Sequence, residues 1–219
     1  MTDPIFDRVA PRPVVDRSSV HDGVVWDVVS EDVDLGEAGV VTREWVDHPG
    51  AVATIAMDDE GRVLLLRQYR HPVRRELWEP PAGLLDITAE DACVAAQREL
   101  AEEADLRAKT WHVLADYFTT PGGNNEALRV FLARDLSPVP ESERHVREDE
   151  EMDMVPHWLP WEEAVESVLA GRLHNPSTVV GVLALAAAMS QGLETLRPGD
   201  APWPERREGV PPGRIGRGA

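Results

Sequence analysis

Glu99, Glu102 and Glu103 sit in the run Arg98-Glu99-Leu100-Ala101-Glu102-Glu103, with Glu90 upstream of it and Pro81-Ala82-Gly83 upstream of that. A helix turns roughly 100° per residue, so these three glutamates occupy about a third of its circumference. Ala92, Ala96 and Leu100 form an apolar stripe on the same wheel, and Glu103 falls inside it, which directs one carboxylate at the core. Ionised carboxylates about 5 Å apart repel by roughly 3 kcal/mol at an effective dielectric near 20, so the cluster calls for a cation. Every donor is an oxygen, which favours Mg²⁺ or Mn²⁺ over zinc. Arg98, one turn before Glu102, neutralises part of the charge. The alternative, open to any Glu-rich helix, is a solvated and salt-bridged surface.

The elements that must position this run are legible in outline. Gly23 to Asp34 and Val40 to Val46 are rich in valine and predict an N-terminal antiparallel hairpin. Ala51 to Met57 and Arg62 to Tyr69 flank the turn Asp58-Asp59-Glu60-Gly61 as a second hairpin, and Glu76 to Glu79 leads into Pro80-Pro81 and then the motif helix. Thr110 to Phe118, Ala127 to Ala133 and Pro156 to Leu159 read as further strands. Trp161 to Ala170 and Ser177 to Leu196 read as helices, the second with Val179, Val182, Ala186, Met189 and Leu193 toward the core. From Arg197 onward the chain is rich in Pro, Gly and Arg and predicts a flexible tail, with Trp203 as its one aromatic side chain.

Composition narrows the classes of partner. A net charge of −18 over 219 residues argues against nucleic acid, and an anionic substrate would need a metal and local arginines. No run is long and apolar enough for a membrane span, and Met1 to Arg12 lacks a basic region followed by an apolar stretch, so a cytoplasmic location is expected. Cys93, the single cysteine, cannot form an internal disulfide and is expected to pack as a small apolar side chain.

The spacing from Gly83 to Leu106 resembles the Nudix box. The family pattern is Gly, five residues, Glu, seven residues, then Arg-Glu-apolar-any-Glu-Glu-any-Gly-apolar. This chain carries six residues between Gly83 and Glu90, and Asp105 in place of the box glycine. The insertion lies in a loop that tolerates it. Asp105 stands where a left-handed helix cap is expected, a conformation that aspartate adopts less readily than glycine. The segments Val41-Thr42-Arg43-Glu44, Tyr69-Arg70-His71, Glu76 to Asp86 and Thr120-Pro121-Gly122 are similar to those of the ADP-ribose pyrophosphatase subfamily of actinobacterial type. So is the position of Pro121, fifteen residues beyond Leu106.

The resemblance implies a Nudix α/β/α sandwich with a mixed sheet over residues 48–196. Residues 1–47 would form a dimerising β-hairpin extension and 197–219 a flexible tail. It implies hydrolysis of ADP-ribose to AMP and ribose 5-phosphate by a homodimer, dependent on Mg²⁺, with Mn²⁺ as the alternative metal. The Ala82 carbonyl, Glu99 and Glu103 would be the main metal ligands, with Glu102 reaching an ion directly or through water and Arg98 orienting the glutamates. Glu151 would be the general base, with Glu150 as the other candidate. Arg43, Arg70, Trp26 and Pro121 would bind substrate, although Arg70 could equally pair with Glu79 and Trp26 could equally pack in the core. Two other readings share the motif: hydrolysis of a different nucleoside diphosphate sugar or dinucleotide, and a non-catalytic ADP-ribose sensor. The intact Arg-Glu-Leu-Ala-Glu-Glu core and the lack of a basic surface helix disfavour the sensor.

Overall fold

The computed structural model describes residues 5–146 and 154–206. Among the described residues eleven strands and three α-helices follow one another, and they divide into two compact units. One unit contains the N-terminal residues through His48 together with Thr120–Asn125. The other contains Pro49–Thr119 and the described residues from Glu126 to Arg206.

The N-terminal unit is a meander of β1 (Val14–His21), β2 (Asp27–Asp34) and β3 (Val40–Asp47), paired antiparallel in the order β1-β2-β3. The second and third strands are those the valine content predicts. The first was not anticipated, because all eight of its residues are exposed and no alternation marks a buried face. Among the described residues of this segment up to His48, only Val29 is buried.

The larger unit is built on a five-stranded mixed sheet in the order β11-β8-β9-β4-β7. Its strands are β4 (Ala51–Ala56), β7 (Ala82–Leu84), β8 (Leu106–Phe118), β9 (Ala127–Pro138) and β11 (Arg197–Pro198), and only the β4–β9 pair is parallel. A second sheet joins β10 (Val155–Pro160), β5 (Arg62–Arg70) and β6 (Arg75–Glu79). Alternation along β4 and β9 separates two cores. Ala53, Ile55, Val130 and Leu132 face α2 (Trp161–Leu169) and α3 (Pro176–Gln191), while Val52 and Phe131 face α1 (Ala92–Ala104). These layers form the expected α/β/α sandwich.

β4 and β5, expected as a hairpin across the turn Asp58 to Gly61, instead belong to different sheets and meet at a Met57–Val63 bridge, because β4 takes β7 and β9 as partners while β5 takes β6 and β10. Two further sequence expectations need correction. The buried face of α3 runs through Thr178, Gly181, Val182, Leu185 and Ala188, whereas Met189 is exposed. The small residues win because the helix lies close to the sheet: a Cβ on Gly181 would come within 2.8 Å of Ile55. The second correction concerns the tail. Residues 197–206 do not all trail free, since Arg197 and Pro198 pair with Val113 and His112, and Ala201 and Trp203 pack on the core beside α1.

Candidate active site

The motif helix begins where sequence chemistry allows. The Asp91 side chain caps it by accepting a hydrogen bond from the Cys93 N–H at 2.8 Å. It ends at Asp105, whose φ of 55° and ψ of 33° place it in the left-handed region, with its N–H directed at the Leu100 and Ala101 carbonyls. Aspartate therefore adopts the conformation expected of the box glycine, and the cap is kept. Upstream, the loop with the extra residue turns through a hydrogen bond that the Glu90 N–H donates to the Ile87 carbonyl, and places Ala89 at a φ of 62°.

Ala92, Cys93, Ala95, Ala96 and Leu100 are buried against the sheet, and Glu103 follows them inward, 9% exposed. Its carboxylate accepts a hydrogen bond from the Ala82 N–H at 2.9 Å, which ties the helix to β7. Glu99 lies over Gly83, where a Cβ would overlap its carboxylate. That close approach is a physical reason for glycine at this position.

Arg98 gathers the remaining acids. Nε and Nη2 donate to the two oxygens of Glu90, each at 3.2 Å, while Nη1 donates to Glu99 at 2.6 Å and to Glu102 at 3.2 Å. Burial opposes the charge on the guanidinium, but Glu90 and Glu99 outweigh it and hold Arg98 protonated above its ordinary range. Burial pushes the Glu99 carboxyl up, Arg98 pulls it back, and Glu102 and Asp86 add to the rise. Glu90 thus has a definite contact that the sequence did not assign: it clamps the arginine that bonds Glu99 and Glu102. The only signal for it was its fixed place in the motif.

Among the described residues no three ligand-type side chains form a ready-made metal cage. The donor chemistry nevertheless fits a hard divalent cation. Three carboxylates face a single guanidinium, a fourth lies one turn along the helix, and the glycine backbone leaves room against Glu99.

Of the expected substrate-binding residues, Arg43 and Pro121 line one cleft of about 320 Å³, with Glu31, Glu44, Trp45 and Asn124 among its other walls. Backbone pairing brings them together. The Val46 N–H donates to the Gly123 carbonyl at 2.9 Å, the Asn125 N–H donates to the Val46 carbonyl at 3.3 Å, and the Asn125 amide donates to Asp47 at 2.9 Å. Trp26 does not line this cleft and is 44% exposed; Trp45 is the aromatic beside Arg43, its indole N–H donating to Glu31 at 3.2 Å. Trp45 was legible only as part of a valine-rich strand. Arg70 takes the structural option, donating to both oxygens of the buried Glu79 at 2.7 to 3.1 Å. Glu150 and Glu151 lie outside the described residues.

Comparison with known proteins accounts for this arrangement. The NUDIX domain model matches residues 47–178. The chain is 43% identical to the ADP-ribose pyrophosphatase of Mycobacterium tuberculosis, over 88% of its own length and 91% of that protein. It is 36% identical to the ADP-ribose pyrophosphatase of Bacillus subtilis, over 76% of its length and 88% of that protein. In fold it is similar to a structure described as an ADP compounds hydrolase, with a TM-score of 0.64 and 19% identity, covering 85% of this chain and 99% of that one. With a glutamate helix of this geometry inside the matched span, the chain belongs to the NUDIX family, alongside the relatives named ADP-ribose pyrophosphatase.

Proposed function

We infer that this chain is a pyrophosphohydrolase that cleaves ADP-ribose to AMP and ribose 5-phosphate, using a divalent metal, with Mg²⁺ as the first candidate and Mn²⁺ as the second. The observation that carries the reading is the excess of carboxylate around Arg98, set against the backbone of Ala82 and Gly83. Glu99 and Glu103 would hold the cation with the Ala82 carbonyl, and Glu102 would complete the set. When bound, such a cation would polarise the pyrophosphate and lower the pKa of the attacking water.

The chain's own residues do the rest. Arg98 fixes the rotamers of Glu99 and Glu102, so the carboxylates are oriented before substrate arrives. Arg43 supplies positive charge for a diphosphate in a cleft that Trp45 and Pro121 also line, and the Trp45 ring offers a surface for a base or ribose. Glu151 accepts the proton of the attacking water, with Glu150 the other candidate. Two contacts support that assignment: Val146 lines a cleft with Arg98 and Glu102, and Met154 packs on the cluster containing Leu100 and Ala104.

A homodimer is part of the same reading. The N-terminal sheet leaves Val14, Val15, Val20 and Val40 exposed, as its β1–β2 connection leaves Trp26, and a second copy would cover them. A cytoplasmic setting carries over from the sequence, and no helix among the described residues is long and apolar enough to cross a membrane.

The test is release of AMP from ADP-ribose with Mg²⁺ and with EDTA, with ADP-glucose, GDP-mannose, NADH and diadenosine polyphosphates as competitors. Metal-dependent turnover led by ADP-ribose is expected. Preference for another compound would discard the substrate and keep the metal chemistry, and tight binding without turnover would make the chain a sensor. Glu151→Gln should lower turnover with the fold intact; unchanged turnover would remove that role.

A further inference from the structure

The buried Arg129 has no part in the chemistry above. It is 2% exposed near the start of β9, and its guanidinium uses four donor contacts. Nε and Nη2 donate to the two oxygens of Asp116 at 2.7 and 2.9 Å. Nη1 donates to the Ala201 carbonyl at 2.7 Å, and Nη2 also donates to the Pro202 carbonyl at 3.1 Å. The Trp203 ring covers it at 4.7 Å.

The segment held in this way is fixed at several further points. Arg197 donates to Asp116 at 2.7 Å, and the Gly199 N–H donates to the Trp111 carbonyl at 3.0 Å. A Cβ on Gly199 would lie 2.8 Å from Trp111 Cβ and 3.2 Å from Cys93 Sγ, so the backbone is pressed against both the sheet and the motif helix. Ala201 and Trp203 pack in the cluster that contains Ala92, Cys93, Ala95 and Ala96. These four residues form the buried face of the N-terminal half of α1, one to two turns from Glu99.

We propose that Arg197–Trp203 is a strap that positions the carboxylates of α1, with Arg129 as its key. The proposal rests on the metal reading above. The small side chains on this half of α1 supply little contact of their own, so the helix depends on Trp203 and Ala201 to fill the space beside it. Holding one end of a short helix fixes the direction of the other, where Glu99, Glu102 and Glu103 project. Trp203 and Arg129 are positioning residues; neither meets substrate.

The full chain and its Trp203→Ala variant are compared by amide hydrogen exchange across α1 without metal, and by Mn²⁺ binding followed by electron paramagnetic resonance. Exchange in Trp203→Ala should quicken by about tenfold, and Mn²⁺ affinity should fall by about tenfold, the scale on which supporting residues act on metal sites. Trp203→Phe should restore both, because the buried indole N–H makes no hydrogen bond that phenylalanine would lose. Wild-type exchange in Trp203→Ala overturns the proposal, and so does faster exchange with unchanged Mn²⁺ affinity. A wild-type chain that binds no Mn²⁺ overturns the metal reading and this proposal together, whereas unchanged exchange overturns the strap alone. Should Trp203→Ala fail to fold, Arg197→Ala replaces it, cutting only the partly exposed contact to Asp116, with smaller changes of the same sign required.

Discussion

Arg98 and Arg129 both lie in the larger unit and both are held by carboxylates, but their charge balance is opposite. Around Arg98 one guanidinium serves Glu90, Glu99 and Glu102, and Glu103 is buried nearby. Around Asp116 one carboxylate serves Arg129 and Arg197, while backbone carbonyls and the face of Trp203 take the remaining positive charge. The second cluster is complete in itself. The first sets more carboxylates than guanidinium groups side by side among the described residues, which is the balance a cation site needs and a joint in the framework does not.

Neutralising one carboxylate of the first cluster tests that contrast most severely. Glu99→Gln keeps the shape and removes the charge, so turnover should fall about a thousandfold, equivalent to about 4 kcal/mol. Stability should hold or rise, because a carboxylate pushed up by burial is replaced by a neutral group. Parallel kinetics and urea unfolding would show this, and a loss of stability with full turnover would reverse the assignment of the two clusters.

The corresponding change in the second cluster should have the opposite signature. Arg129→Met leaves Asp116 half-paired and the Ala201 and Pro202 carbonyls without their donor, which should cost about 3–5 kcal/mol of folding stability. The urea midpoint measures it. A small change there would mean that water replaces the guanidinium and that the joint is looser than its geometry suggests.

Gly83→Ala sharpens the comparison with a single methyl group. The group it would meet is the far end of the Glu99 side chain, which can swing aside, so stability should barely change. The displaced carboxylate would no longer be set for its role, and turnover should fall on the order of a hundredfold. Rates and unfolding curves measured on the same preparation would distinguish this from general damage.

These two clusters were not equally legible in the sequence. The first is carried by one short helix, so its residue types and spacing sufficed to identify it, and Glu103 could be seen falling on the apolar stripe. The second joins Asp116, Arg129 and residues 197–203, and no local pattern links positions that far apart. One clue was present: Arg129 interrupts the apolar run Ala127 to Ala133, and a charge in the centre of a buried strand needs a partner. The exposed first strand and the place of Trp45 beside Arg43 were hidden for a related reason. Both depend on pairing within the N-terminal unit rather than on any hydrophobic period.

The smallest effect concerns the end of the helix that joins motif to framework. Asp105 holds a left-handed conformation at a φ of 55°, which glycine adopts without the steric cost an L side chain bears. Against this, its carboxylate lies 3.9 Å from Arg144, a partly exposed pair at the edge of ion-pair distance and worth little in water. Asp105→Gly should therefore stabilise the fold by about 0.5–1 kcal/mol, seen as a higher urea midpoint. Turnover should stay near wild type, since the cap already points the Asp105 N–H at the Leu100 and Ala101 carbonyls as a glycine would. A decrease in stability would show instead that the contact with Arg144 outweighs backbone strain, and that this chain replaced the glycine to anchor the segment leading to Val146.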